Sequence, residues 1–192
     1  MNIKQIIKDA YLGDIKAQWD LSIMYYQGDG VSKDNKKAFY WTLKSATQCH
    51  TSSQYNLGYL YWSGKGTAVD YESAFYWFNK AAEKGHAPSQ NYLGVMHRDG
   101  HGVDKDYEEA FIWFLMASNS SLSCCYDARK GYSGNPIAQC NLGLMYIEGN
   151  GVPESKSEAA HWVNLAYRQD CKLAAEMLDE YELWDYIDKY II

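Results

Sequence analysis

The chain has 192 residues, 47% of them hydrophobic and 22% charged with only 3 prolines, which is enough to bury a core and too apolar for a disordered chain. Its net charge of −6, from 18 basic and 24 acidic residues, argues against a general phosphate-binding surface, which needs a clustered basic footprint. Aromatic residues reach 16%, with 18 Tyr and 7 Trp, and such an excess calls for a repeated structural role or an adhesive surface.

Residues 1–11 alternate charged and apolar side chains without the apolar core of a signal peptide, and no run approaches the ~20 apolar residues of a membrane span. These features predict a cytoplasmic protein with no membrane segment. The five cysteines (Cys49, Cys124, Cys125, Cys140 and Cys171) are odd in number and irregular in spacing. That pattern predicts free thiols rather than a disulfide framework.

Beyond this start the sequence repeats itself at a fixed period. Leu21, Leu57, Leu93 and Leu142 are separated by 36, 36 and 49 residues, and Trp41, Trp77, Trp113 and Trp162 take the same steps. So do Ala38, Ala74, Ala110 and Ala159, and the glycine pairs Gly28/Gly30, Gly64/Gly66, Gly100/Gly102 and Gly149/Gly151. The longer third step places a 13-residue insertion between Ala117 and Pro136.

Each unit reads as two helices. A small residue, a Leu four later and a Tyr or His four after that (Ala17-Leu21-Tyr25, Ser53-Leu57-Tyr61, Ser89-Leu93-His97, Ala138-Leu142-Tyr146) form one face of the first helix. The first glycine of each pair ends that helix in a left-handed conformation and the second permits a tight turn. Asp34, Asp70, Asp106 or Ser155 then caps the second helix, with capping boxes predicted for Asp106/Glu109 and Ser155/Glu158. The buried face of the second helix is predicted to carry the alanine and the Trp three residues later.

The insertion region, 118–135, is polar and then weakly helical, predicting either a lengthened second helix or a protruding loop. Its adjacent Cys124 and Cys125 lack a Cys-x-x-Cys pattern or a histidine close in sequence, so no metal site is expected. At the C-terminal end, Leu183, Ile187 and Ile191, with Trp184 and Tyr190 beside them, form an apolar stripe. Residues 148–192 hold ten acids against four bases, the whole net charge of the chain. This segment reads as a cap over the last unit, or as a tail that docks in a groove of its own chain or of a second copy, giving a homodimer.

The pattern Ala-x-x-x-Leu-Gly-x-x-Tyr-x-x-Gly-x-Gly-Val-x-x-Asp, followed by Ala-x-x-Trp and Lys-Ala-Ala-x-x-Gly, resembles the Sel1-like repeat, a relative of the tetratricopeptide repeat. The span from residue 53 through residue 85 matches it nearly in full, and the resemblance covers about residues 14–170; Ser22, Thr67, His97 and Ser155 depart from it. The resemblance implies an all-α, right-handed α/α solenoid of four helix-pair repeats in one domain, with half-repeat caps at both ends. The boundaries expected are 1–16 for the N-terminal cap, 17–52, 53–88, 89–137 and 138–173 for the repeats, and 174–192 for the C-terminal cap.

The resemblance also implies a non-enzymatic adaptor or scaffold, because stacked helix pairs present a concave surface suited to partners. One face of the first helices, at i, i+4, i+7 spacing, supplies the groove candidates: Trp19, Ile23 and Tyr26; Tyr55, Tyr59 and Trp62; Asn91, Val95 and Arg98; Cys140, Leu144 and Ile147. Trp19, Ile23, Tyr26, Tyr55, Tyr59, Trp62, Arg98 and Ile147 are the partner-binding set, since exposed Trp, Tyr and Arg dominate binding hot spots. The competing reading packs Tyr55, Tyr59 and Val95 against the adjacent helix as ordinary repeat residues. The expected partner is another protein or peptide, not nucleic acid or membrane, and no cofactor is expected.

Two other functions fit less of the sequence. An inhibitor or immunity-type protein that occludes a toxin suits an acidic, aromatic surface. A hydrolase like the cysteine-rich secreted relatives lacks support: none of the fifteen serines has Lys three residues later, and the regular cysteines of that branch are missing; the Gly-x-Gly pairs lack a third glycine and follow helices, which removes a dinucleotide site. The histidines, His50, His86, His97, His101 and His161, read as scattered over the repeat and solvated or locally bonded.

Overall fold

The computed structural model describes residues 3–119 and 134–187, and these residues form eleven helices and no strand. In chain order they are α1 (Ile3–Tyr11), α2 (Ile15–Gln27), α3 (Asn35–Thr47), α4 (Thr51–Ser63), α5 (Tyr71–Ala82), α6 (Ala87–Asp99), α7 (Tyr107–Asn119), α8 (Pro136–Glu148), α9 (Lys156–Tyr167), α10 (Lys172–Glu180) and α11 (Trp184–Ile187). The chain divides into two compact units, Met1–Lys84 with α1–α5 and Gly85–Ile192 with α6–α11. Cys124 and Cys125 of the insertion, and Tyr190 and Ile191 of the predicted tail stripe, lie outside the described residues.

Helices pair consecutively: α2 with α3 and α4 with α5 in the first unit, α6 with α7 and α8 with α9 in the second. Each pair is set by its turn. Gly28 ends α2 at φ +82°, a conformation that costs a side-chain-bearing residue about 1–2 kcal/mol. In the next turn a Cβ on Gly66 would collide with the carbonyl oxygen of Asn35. The second glycine therefore lets this turn touch the start of α3, and Gly151 stands in the same relation to Tyr107 at the start of α7.

Side chains close the helix ends. Asp34, Asp70, Asp106 and Ser155 accept the backbone N–H groups of Lys37, Ser73, Glu109 and Glu158 at 3.0, 3.0, 3.0 and 3.2 Å. The Lys37 amide holds the Asp34 carboxyl below its ordinary pKa, and the Ser73 hydroxyl does the same for Asp70. The first helices are capped as well. Asp14, His50, His86 and Asn135 accept backbone N–H groups of α2, α4, α6 and α8. His50 and His86 thus occupy one repeat position, 36 residues apart, which corrects the reading of the histidines as scattered. Around the insertion, the Asn135 amide donates to the Ala117 carbonyl at 3.0 Å, so the chain leaves and rejoins the array at one point.

The buried stripe of the first helices is as expected: Leu21, Leu57, Leu93 and Leu142 are fully enclosed. The tryptophan expectation needs correction. Trp41 is buried at the N-terminal end, against Ile6, Ala10, Ala17 and Leu21, but Trp77, Trp113 and Trp162 are half exposed. The next residue along, Phe78, Phe114 or Val163, is the one fully buried. It faces a helix glycine: a Cβ on Gly58 would lie 2.7 Å from the Phe78 ring, and Gly94 and Gly143 stand in the same relation to Phe114 and Val163. Where the first repeat has Ser22 instead of that glycine, the corresponding second-helix residue is the smaller Thr42, and both hydroxyls return to carbonyls of their own helix.

Gln18, Gln54, Gln90 and Gln139 are buried at one repeat position. Gln18 donates to the Ala10 carbonyl at 3.1 Å and accepts from Gln48 at 2.8 Å; Gln54 donates to Ala46 and accepts from Lys84; Gln139 accepts from Gln169 at 2.8 Å. Gln18 and Gln54 thereby tie the starts of α2 and α4 to the ends of α1 and α3, satisfying carbonyls that helix ends leave without an intrahelical partner.

Candidate functional site

In the first unit, the i, i+4, i+7 faces of α2 and α4 enclose a cleft of about 270 Å³, lined by Ile23, Tyr26, Gln27, Tyr55, Asn56, Tyr59 and Leu60. Four of the eight sequence candidates, Ile23, Tyr26, Tyr55 and Tyr59, meet here. Both helices are fixed from behind: Leu21 and Leu57 anchor them in the core, and the Tyr55 ring packs 5.9 Å from the Phe78 ring.

Lys65 stands at one end of the cleft. It is the middle residue of the Gly64-Lys65-Gly66 turn, and the left-handed Gly64 sends the chain back toward the helix face. Its ammonium donates to the hydroxyls of Tyr26 (2.9 Å) and Tyr59 (3.3 Å) and lies 5.4 and 5.1 Å from the two ring centroids. Those hydroxyl contacts hold its pKa above the ordinary lysine value, so it carries a full charge at neutral pH. The result is an apolar slot with a cation bridging two tyrosines at its rim. Lys65 escaped sequence reasoning, although the signal was present: the corresponding residues of the other Gly-x-Gly turns are Asp29, His101 and Asn150.

The remaining candidates lie elsewhere. Trp19 packs against the His50 ring at 5.7 Å with its indole N–H buried, and Trp62 packs against Tyr71 at 5.0 Å; both are half buried and neither lines the cleft.

In the second unit the same helix face is polar. The Asn141 amide donates to Asn91 at 2.9 Å, Arg98 donates to Asn141 at 3.3 Å, and Arg98 grips Asp99 with two bonds of 2.8 and 2.9 Å. That pairing pushes the Asp99 carboxyl down and the Arg98 guanidinium up from their ordinary values. Arg98 is thus engaged within its own unit.

On α8 the face is covered. Cys140, Leu144 and Ile147 pack into a cluster with Ala174, Met177, Leu178 and Leu183 of the C-terminal segment. Ile147 also borders a cleft of about 200 Å³ whose other walls include Glu154, Lys156, Glu180 and Glu182. The described part of the predicted tail stripe, Leu183 and Ile187, packs into that same cluster of its own chain.

Among the described residues no group of three or more His, Cys, Asp or Glu is arranged to hold a metal ion, and no helix is long and apolar enough to cross a membrane.

Comparison with known proteins matches the Sel1 repeat at residues 15–48, 51–86, 87–122 and 136–171. A Sel1 repeat protein from Oxalobacter formigenes of known structure is 29% identical over 92% of this chain and 67% of its own, with a TM-score of 0.77. A protective antigen of uropathogenic Escherichia coli with an SLR fold is 29% identical, covering 98% of this chain but 41% of its own, with a TM-score of 0.79. The chain thus spans about two thirds of the first relative and less than half of the second. No curated protein matches the sequence. With four matched copies and helices paired as in those solved structures, the chain belongs to the Sel1 repeat family.

Proposed function

We propose that the protein is a non-enzymatic adaptor that holds a partner protein through the cleft between α2 and α4. Sel1 repeats generally serve to bind other proteins, and one observation supports this cleft as the place. Among the described residues, the face shared by α2 and α4 is open and aromatic, whereas that of α6 carries an amide and guanidinium network and that of α8 is packed against the C-terminal segment. At about 270 Å³ the slot suits one or two side chains of a peptide segment rather than a drug-sized ligand. Lys65 selects the chemistry: an aliphatic or aromatic side chain fills the slot and a neighbouring carboxylate meets the ammonium.

A displayed random-peptide library selected on the whole chain tests this. Selected peptides are expected to share an apolar residue beside an acidic one, and to bind Ile23→Glu or Tyr59→Ala at least about tenfold more weakly, which is the loss of one hot-spot contact. Lys65→Met should remove most of the salt dependence of binding. Tyr40→Ala, on the exposed side of α3, is the control and should bind as the parent does. Peptides that bind the cleft variants undiminished while circular dichroism shows them folded would overturn the assignment.

A further inference from the structure

We propose that Cys140 and Cys171 are a disulfide-forming pair, closed by exchange with a small disulfide such as glutathione disulfide, which cross-links α8 to the start of α10. The two sulfurs lie 4.0 Å apart, about twice a disulfide bond length, so side-chain rotation has little distance to close. They come from positions 31 residues apart that the fold, not the sequence, brings together.

Position supports the pairing. Cys171 occupies the N-cap site of α10, where Asp14, His50, His86 and Asn135 stand on the other first helices. Those four accept a backbone N–H through the side chain; Cys171 makes no such bond, and its sulfur points to Cys140 instead. The preceding Asp170 takes φ +60°, which keeps the capping backbone geometry without a glycine. The thiol therefore replaces a cap in an otherwise conserved geometry of this chain's own repeats.

The two thiols are also unequal. Cys140 is 1% exposed within the cluster of Val163, Ala174 and Leu178, and burial raises its pKa strongly, so it stays protonated and inert toward solvent reagents. Cys171 is half exposed and opens onto a cleft lined by Tyr167, Arg168, Asp170, Lys172 and Ala175. Arg168 and Lys172 on that cleft suit an anionic disulfide compound such as glutathione disulfide. Cys171 is thus the sulfur that is attacked first or attacks first.

The exchange balances in two steps. The Cys171 sulfur attacks one sulfur of glutathione disulfide, giving a mixed disulfide and one glutathione that carries away the Cys171 proton. The Cys140 sulfur then attacks the Cys171 sulfur, its proton passing to the second departing glutathione. Two protein thiols are oxidised, one glutathione disulfide is reduced to two glutathiones, and a 31-residue segment is closed into a loop.

The test equilibrates the full chain in glutathione buffers of rising disulfide fraction, then unfolds and alkylates it in denaturant, digests it with trypsin and weighs the fragments. Lys130, Lys156, Arg168 and Lys172 place Cys140 in the fragment 131–156 and Cys171 in 169–172, apart from Cys124 and Cys125. The expected product is one linked pair, 131–156 with 169–172, absent from Cys140→Ser and Cys171→Ser and unchanged in Cys49→Ser. Closing the loop should raise the melting midpoint by about 5 °C or more, reversibly with dithiothreitol. A chain in which Cys140 is alkylated after oxidation, Cys171 only glutathionylated, or Cys171 linked to another cysteine overturns the proposal. Cys171→Asn, which supplies an ordinary cap, separates the roles: it keeps the fold and abolishes the link.

Discussion

At the scale of single residues, His50 and His86 show how a repeat position specifies chemistry. Each uses Nδ1 to accept the backbone N–H three residues on, at 3.3 Å, and lies 2.8 or 2.9 Å from the hydroxyl of Ser53 or Ser89. Only the neutral ring accepts, because imidazolium has no lone pair to offer. Burial lowers both pKa values below the ordinary 6.5, and for His50 the Lys84 charge adds to this, against an opposing pull from Asp20. A group with a depressed folded pKa binds more protons when unfolded, so its contribution is full above about pH 6.5 and lost as pH falls through the folded value. The melting midpoint should therefore drop between pH 7.5 and pH 5.5. His50→Asn/His86→Asn keeps a capping acceptor that does not titrate, as Asn135 does on α8. The double variant should show a shallower decline in a pH series of thermal melts; an unchanged slope would remove the histidine caps as its cause.

At the scale of elements, helix pairs are specified by size complementarity across them. Gly58 faces Phe78, Gly94 faces Phe114 and Gly143 faces Val163, so each glycine marks where a bulky partner is seated. Gly58→Ala should cost about 1–3 kcal/mol through overpacking, and less in a Phe78→Leu background. Chemical denaturation of the four proteins of that cycle measures the coupling. A value near zero would mean that the methyl group is accommodated without the ring moving.

The same pairs explain what the sequence disclosed. The period of 36, the leucine stripe, the second-helix caps and the turn glycines were legible, whereas the caps of the first helices, His50 and His86 among them, were not. Trp77 and Phe78 are adjacent aromatics about 100° apart around one helix, and the sequence alone did not say which one faces inward. The signal was on the partner helix, in the glycines. The groove candidates were harder still, because the same spacing serves an open cleft on α4, an amide network on α6 and a covered face on α8. Asn91 and Asn141 meet across 50 residues, and Leu183 covers α8 from the C-terminal segment; neither relation leaves a trace in local periodicity.

At the scale of the whole molecule, helix pairs in a repeat array must cover one another, and in the second unit the turn after α10 covers part of α8 and α9. Leu183 is 0% exposed between Val163, Leu178 and the α8 residues, and its amide donates to the Leu178 carbonyl at 3.0 Å. Trp184 secures the turn, donating its indole N–H to Asp179 at 2.7 Å and packing edge-on to Tyr167 at 5.4 Å. One buried leucine thus closes the apolar cluster that encloses Cys140 and partly covers Leu144 and Ile147. Leu183→Ala should destabilise the second unit by about 2–5 kcal/mol, the range for truncating an enclosed leucine. Leu173→Ala, on the exposed side of α10, should cost no more than about 0.5 kcal/mol. Hydrogen exchange read peptide by peptide is the appropriate measurement, since opening in repeat arrays is local and its free energy differs from place to place. Faster exchange in α8, α9 and α10 of Leu183→Ala, with α2 and α4 of the first unit unchanged, is the expected outcome. Equal effects of the two substitutions would show that the C-terminal turn lies on the array without sealing it, and the open face of α8 would then join the cleft between α2 and α4 as a surface for partners.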